Sequence, residues 1–334
     1  MIIAIYLSVG KDRLKEKKYE KAIHRLKPIV LEYIEDDKKL SELKKAKKND
    51  FDSIVVIDIM VEYAEKHDSD ISSKFEALDL DKFIIRKIQR RESLVHIRKL
   101  AFMRVKSSYN VFLKLADSDD MDIRYMSLFA LSLIRLPRAE KKMVIKKMIE
   151  SNIVDDRIIE ILSKVILSFE EWLELLENEE TVEGRRIFIK NLLLKNELKD
   201  EKNTDRLLKY LKDDSEVRIA AIQVLSHSGN EKYVDNLIEV YETDEIWQVR
   251  VAVAKGLSNF KMDKTKDILL EMTKDKEWWV RYNAIKSIVA RGDEGLFTLI
   301  DLSLDVEDKH VSDLAYYFLN SNKEVYDTVK NIEV

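Results

Sequence analysis

The stretch Asp275–Ile288, DKEWWVRYNAIKSI, decides the fold, because the chain writes versions of it several times. Asp244–Leu257 reads DEIWQVRVAVAKGL, and Asp213–Leu225 reads DDSEVRIAAIQVL. The pairs Val217-Arg218, Val249-Arg250 and Val280-Arg281 are 32 and 31 residues apart; a further 31 brings Val311-Ser312 in DVEDKHVSDLAYYFL, where the arginine is lost. Each copy opens on an acidic turn and runs into small and apolar residues. Self-similarity at this period signals stacked supersecondary units, each contacting its neighbours, and not one closed core.

In these units a first helix (204–212, 231–242, 264–274 and 295–304) is expected to end at the acidic turn, with a second starting at the Val-Arg pair. Asp213, Asp244 and Asp275 stand four or five residues before the valine, where a carboxylate can cap the free backbone N–H groups of the new helix. Ser228-Gly229-Asn230 and Arg291-Gly292 supply the turn to the next unit. Further back, Arg98, Arg124, Arg157 and Arg186 can be laid against Arg218 at drifting intervals of 26, 33, 29 and 32 residues. The array therefore degenerates toward the N-terminus, with seven to nine helix pairs in all.

Composition agrees. Six Gly and 2 Pro among 334 residues leave little material for hairpins, while 46% apolar and 37% charged residues suit amphipathic helices. The expected fold class is all-α, an α-solenoid of helix pairs. With no cysteine, disulfides, thiolate metal sites and thiol nucleophiles are excluded.

The pattern D-x-x-x-V-R-x-x-A, with two helices per repeat, resembles the HEAT repeat, most clearly over residues 203–320 and more loosely back to about residue 80. The resemblance implies that Arg218, Arg250 and Arg281 form an internal ladder with acidic turn residues, and that Ala221, Val253 and Ala284 pack where helices cross. Ser312 then marks a terminal, capping repeat. The layout is also similar to bacterial HEAT-repeat proteins carried on an N-terminal membrane helix, with the solenoid in the cytoplasm and the anchor here missing or truncated. Three parts are expected along one continuous solenoid: an apolar stub and basic helix (1–50), irregular helical repeats (51–200), and regular repeats with a cap (201–334).

At the N-terminus, Met1–Val9 is too short to span a bilayer, which takes about 20 residues. It reads as the cut end of an anchor, an interfacial helix, or a buried strand or turn. From Lys11 to Leu40 the apolar residues recur at helical steps, with Pro28 as an expected kink or break. Lys11, Arg13, Lys15, Lys17, Lys18 and Lys21 would face an anionic membrane surface.

Charge is unevenly spread: residues 82–106 carry 9 Lys/Arg against 1 acidic residue, residues 51–81 carry 2 against 9, and residues 107–334 sum to −10. In the basic segment, Arg86, Lys87, Arg90, Arg91, Arg98 and Arg104 offer a cationic side for anionic lipid, nucleic acid or an acidic partner, or else for ion pairs with residues 51–81.

Chemistry is sparse. None of His24, His67, His96, His227 and His310 has another histidine at i+3 or i+4, and there is no Walker loop, G-x-S-x-G or glycine-rich dinucleotide turn. No catalytic residue, metal or cofactor is expected. HEAT-like DNA glycosylases resemble this fold and would cast Trp247, Trp278 and Asp275 in base-holding roles, yet the acidic repeats repel a phosphate backbone. Trp247 and Trp278 recur two residues before the valine, and with Trp279 and Tyr282 they form a candidate partner-binding edge, since Trp often anchors interfaces. The leading expectation is a monomeric, non-enzymatic scaffold or adaptor for another protein, in the cytoplasm or tethered to the inner face of the membrane. The alternative is a nucleic-acid-binding or glycosylase-type repair module.

Overall fold

The computed structural model describes residues 2–91, 93–195, 200–304 and 308–321, with side chains from Lys15 onward except Lys38. Among them are twenty α-helices, short 3-10 turns and no strand. The chain divides into two compact units, 1–166 and 167–334, a boundary that falls inside the irregular stretch of the sequence.

The first unit comprises α1 (Ile2–Glu35), α2 (Leu40–Ala46), α3 (Asp50–His67), α4 (Ser72–Glu76), α5 (Leu80–Arg90), α6 (Leu94–Phe102), α7 (Tyr109–Leu115), α8 (Met121–Leu133), α9 (Arg138–Ile149) and α10 (Asp155–Lys164). Within it α1, α3, α6, α8 and α10 pack successively side by side, and α2, α5, α7 and α9 lie against that row. Helix α1 continues through Pro28, which forfeits one backbone N–H bond without ending the helix, so the expected break does not occur. Residues 2–9 are helical backbone and not a strand or turn. From Lys18 onward α1 is tied down: Lys18 Nζ lies 4.6 Å from the Phe51 ring centre, the Tyr19 hydroxyl donates to Asp58 at 2.6 Å, and Arg25 meets the buried Asp52 at 2.5 Å. The side chains of Lys11 and Arg13 lie outside the described ones. None of the helices, among the described residues, is long and apolar enough to cross a membrane.

The second unit comprises α11 (Phe169–Glu177), α12 (Val182–Leu192), α13 (Glu201–Asp205), α14 (Ser215–His227), α15 (Val234–Thr243), α16 (Trp247–Leu257), α17 (Asp263–Met272), α18 (Trp278–Val289), α19 (Asp293–Ser303) and α20 (Lys309–Ser321). The helices of the Val-Arg pairs, α14, α16 and α18, stack as a row with α12 before them and α20 after them, and α11, α15, α17 and α19 are partners of helices in the row. The expected helix 204–212 is instead α13 followed by a 3-10 turn at Leu208–Lys212.

Val217, Val249, Val280 and Val311 are fully buried, as are Ala221, Val253, Ala284 and Ala315 four residues later, so a valine and a small residue alternate with the helix period along the packed seam. Each such valine contributes roughly 1.5–3 kcal/mol of burial. Close packing is enforced at Gly256: a Cβ there would stand 2.2 Å from Ser226 Oγ on the neighbouring α14.

Candidate functional site

The acidic turns and the arginines after them build one edge of the second unit. Arg250 Nε and Nη2 donate to Asp275 Oδ2 and Oδ1 at 2.8 and 3.0 Å, while its Nη1 donates to the carbonyls of Asp244 and Glu245. Arg218 reaches Asp244 through Nη2, which donates to Oδ1 at 3.2 Å, while its Nε lies 2.8 Å from Oδ2 as an ion-pair contact and Nη1 donates to the Asp213 carbonyl. Arg281 donates to the carbonyls of Asp275 and Lys276; the next acidic turn, 305–307, lies outside the described residues. Each arginine thus closes its own turn, and Arg218 and Arg250 also pin the next one.

Two details differ from the sequence reading. Arg185, not Arg186, occupies the ladder position: its guanidinium forks onto Asp213 at 2.9 and 2.8 Å and takes the Glu179 and Glu180 carbonyls, whereas Arg186 points to Glu216. The reason is that two adjacent arginines after a drifting loop leave the register ambiguous by one. Asp244 and Asp275 also do not cap the second or third helical N–H; each accepts from the N–H two residues on, Ile246 and Glu277, in a turn that precedes the helix. Asp214, next to Asp213, is the residue that caps α14.

Ion pairing raises the pKa of the Arg250 guanidinium through its bond to Asp275. Asp213 is desolvated, which works against its charge, but the Arg185 bond and the Asp214 N–H prevail and hold its carboxyl below the usual range. An open depression of about 560 Å³ between successive turns is lined by Tyr241, Glu242, Glu245 and Glu271 around the Arg250–Asp275 pair. Burial, reinforced by Glu271 and Asp275, pushes the Tyr241 hydroxyl up to about 12. With Asp275 committed to Arg250, the base-holding role considered for it has no free carboxylate behind it.

Directly after this ladder the chain presents its aromatics. Trp278 and Trp279, the first two residues of α18, are 45% and 52% exposed. Trp278 stacks on Tyr282 at 5.1 Å and meets Trp279 edge-on at 4.7 Å. Tyr282 continues to Phe318 of α20 at 5.1 Å, and Phe318 to Tyr317 at 5.7 Å. Tyr316 and Tyr317 are themselves 59% and 58% exposed. The result is an unbroken line of rings across two helices that meet through packing. Trp247 is half-buried at the start of α16, and among the described residues no ring contact joins it to this line. Sequence reading identified Trp278, Trp279 and Tyr282, but missed Tyr316, Tyr317 and Phe318; the aromatic run YYF in the final repeat was the available signal.

The basic segment falls on two helices, α5 ending at Arg90 and α6 beginning at Leu94. Its cations divide. Arg98 pairs with Glu65, Arg104 with Asp68, Lys87 with Asp50 and Lys99 with Asp58. For Arg86, Arg90 and Arg91 no carboxylate partner is found among the described residues; Arg86 Nε donates only to the Lys82 carbonyl.

One further arginine is structural. The Arg291 side chain, fully buried, donates to the carbonyls of Phe260, Lys261 and Met262 and to Thr265 Oγ1, and meets Glu294 at 3.1 Å. It locks the turn between α16 and α17. Among the described residues no group of three or more His, Asp or Glu is placed to hold a metal ion.

Against known proteins, residues 169–250 and 234–317 match the family model of HEAT repeats, starting where the second unit starts. No curated protein matches the chain.

Proposed function

Starting from a chain whose residues 169–317 are HEAT repeats, we propose that it is a non-catalytic scaffold that binds another protein through the aromatic face of α18 and α20. HEAT repeats commonly serve in protein interaction. The observation that carries the reading is the line Trp279–Trp278–Tyr282–Phe318–Tyr317, because rings in contact with one another, with Trp278, Trp279 and Tyr317 exposed, offer large contact area at little entropic cost. The second unit holds 24 Lys/Arg against 35 Asp/Glu, a net −11, so the favoured partner segment carries Lys or Arg beside its apolar anchors. The same charge disfavours nucleic acid at this face. The first unit holds 35 against 28, a net +7, which suits work beside an anionic membrane surface.

Capture of partners by the intact chain and by a Trp278→Ala/Trp279→Ala variant tests the reading. The partners should be lost from the variant. Equal recovery by a variant with an unchanged helical spectrum would end it.

A further inference from the structure

We propose that the C-terminal end of α5 and the start of α6 dock onto an anionic phospholipid surface, through Arg86, Arg90 and Arg91 with Leu94 and Val95. The proposal deepens the membrane-side part of the scaffold reading and rests on it, but uses none of the residues of the aromatic face.

Three observations converge. The first is the pairing pattern. Arg25, Arg98, Arg104, Arg135, Arg185, Arg186, Arg206, Arg218, Arg250 and Arg291 meet a carboxylate, and Arg124, Arg157 and Arg281 are held by loop carbonyls or a tyrosine ring; among the described residues the three arginines at the end of α5 show neither, Arg86 bonding only to a carbonyl of its own helix. All three are exposed. A cation in the last turn of a helix is stabilised by the helix dipole, which accounts for Arg90 but not for three together.

The second is shape. Arg86, Lys87 and Arg90 line a small depression of about 90 Å³ with Phe83 and Asp50. Residues 86 and 90 are one helical turn apart, so their guanidinium groups share a face and can converge on one phosphate. Asp50 is the one acidic group in the lining, and it is already paired with Lys87 at 3.4 Å.

The third observation separates a lipid from a nucleic acid. The first two residues of α6, which follow the arginines in the chain, expose aliphatic side chains, Leu94 at 40% and Val95 at 60%. Aliphatic groups next to cations match a bilayer interface, where the charges meet headgroups and the hydrocarbon enters the acyl boundary. Single-stranded nucleic acid is instead held by exposed rings on which bases stack. The one ring here, Phe83, is covered by Lys87, whose Nζ lies 5.1 Å from its centre.

Flotation of the intact chain with phosphatidylcholine vesicles, with and without phosphatidylglycerol, is the test. The chain should float only with the anionic vesicles and should be released by salt. Arg86→Ala/Arg90→Ala should weaken that binding roughly thirtyfold, and Val95→Ser roughly tenfold, both with unchanged helical spectra because the residues are exposed. Unchanged flotation of the arginine variant would overturn the proposal and move the contact to the basic start of α1. Equal flotation with pure phosphatidylcholine would overturn it too, as would a duplex oligonucleotide bound more tightly than the anionic vesicles with the same arginine dependence. In each case partner capture by the aromatic face is read separately and stands or falls by itself.

Discussion

Arg250 and Asp275, 25 residues apart in the chain, meet in a two-bonded fork whose side chains are only 6% and 7% exposed. The pair joins the first turn of α16 to the turn before α18, so it adds to the buried valine seam in holding consecutive repeats together.

Breaking that fork leaves a buried charge without its partner. Arg250→Ala is expected to lower the unfolding free energy by about 3–5 kcal/mol, measured by urea denaturation. Lys39→Ala, which removes an exposed pair with Glu42, should change it by about 1 kcal/mol or less.

Arg291 serves several acceptors with a planar fork that lysine lacks. Arg291→Lys should leave at least one of the Phe260 and Lys261 carbonyls unpaired and cost about 1–3 kcal/mol. Thermal unfolding followed by circular dichroism checks it; an unchanged midpoint would contradict the clamp.

At Gly295, a Cβ would stand 1.9 Å from the backbone carbonyl oxygen of Ile288. Backbone cannot swing aside as a side chain can. Gly295→Ala is therefore expected to destabilise the α18–α19 junction by about 1–3 kcal/mol, despite alanine's better helix propensity, and denaturant titration reads the sign.

Glu177 is held below the ordinary carboxylate range, first by its bond to Arg206 at 2.8 Å and then, against burial, by the Lys209 charge. A depressed folded pKa gives stability that is fully present above the unfolded value, about 4.3, and is lost as pH falls through the folded one. The stability gap between the natural chain and Arg206→Ala should thus be constant near neutrality and shrink on acidification. A gap independent of pH down to acid unfolding would remove Glu177 from the account.

For the aromatic face, Trp278→Ala should weaken a captured partner by at least about 2 kcal/mol, roughly thirtyfold. Trp247→Ala, outside the ring line, should weaken it far less. Titration calorimetry on the two variants distinguishes them, and the reverse order would relocate the interface to α16.

The repeat was legible because its signals are local. Val217, Val249 and Val280 recur with the helix and with the turn, and the side chain that must be buried is the same each time. Register was harder: Arg185 and Arg186 are adjacent, and only the distance to Asp213 chooses between them. Arg291 read as a turn residue beside Gly292, since its acceptors are backbone carbonyls about thirty residues earlier, which carry no sequence signature.

Sequence by itself determined the all-helical class, the repeat period, the valine and alanine seam and the presence of Trp278 and Trp279. Tertiary structure decided which charges remain available and which rings join. Arg98 and Arg104 are neutralised by Glu65 and Asp68 from an earlier helix and turn, while Arg86, Arg90 and Arg91 are not; Tyr282 gains Phe318 only because α18 and α20 pack together. The physical reason is range. Helix formation and burial follow from periodicity within one segment, but ion pairing and ring stacking depend on distances of a few ångströms between segments some 30 residues apart, and the fold alone sets those.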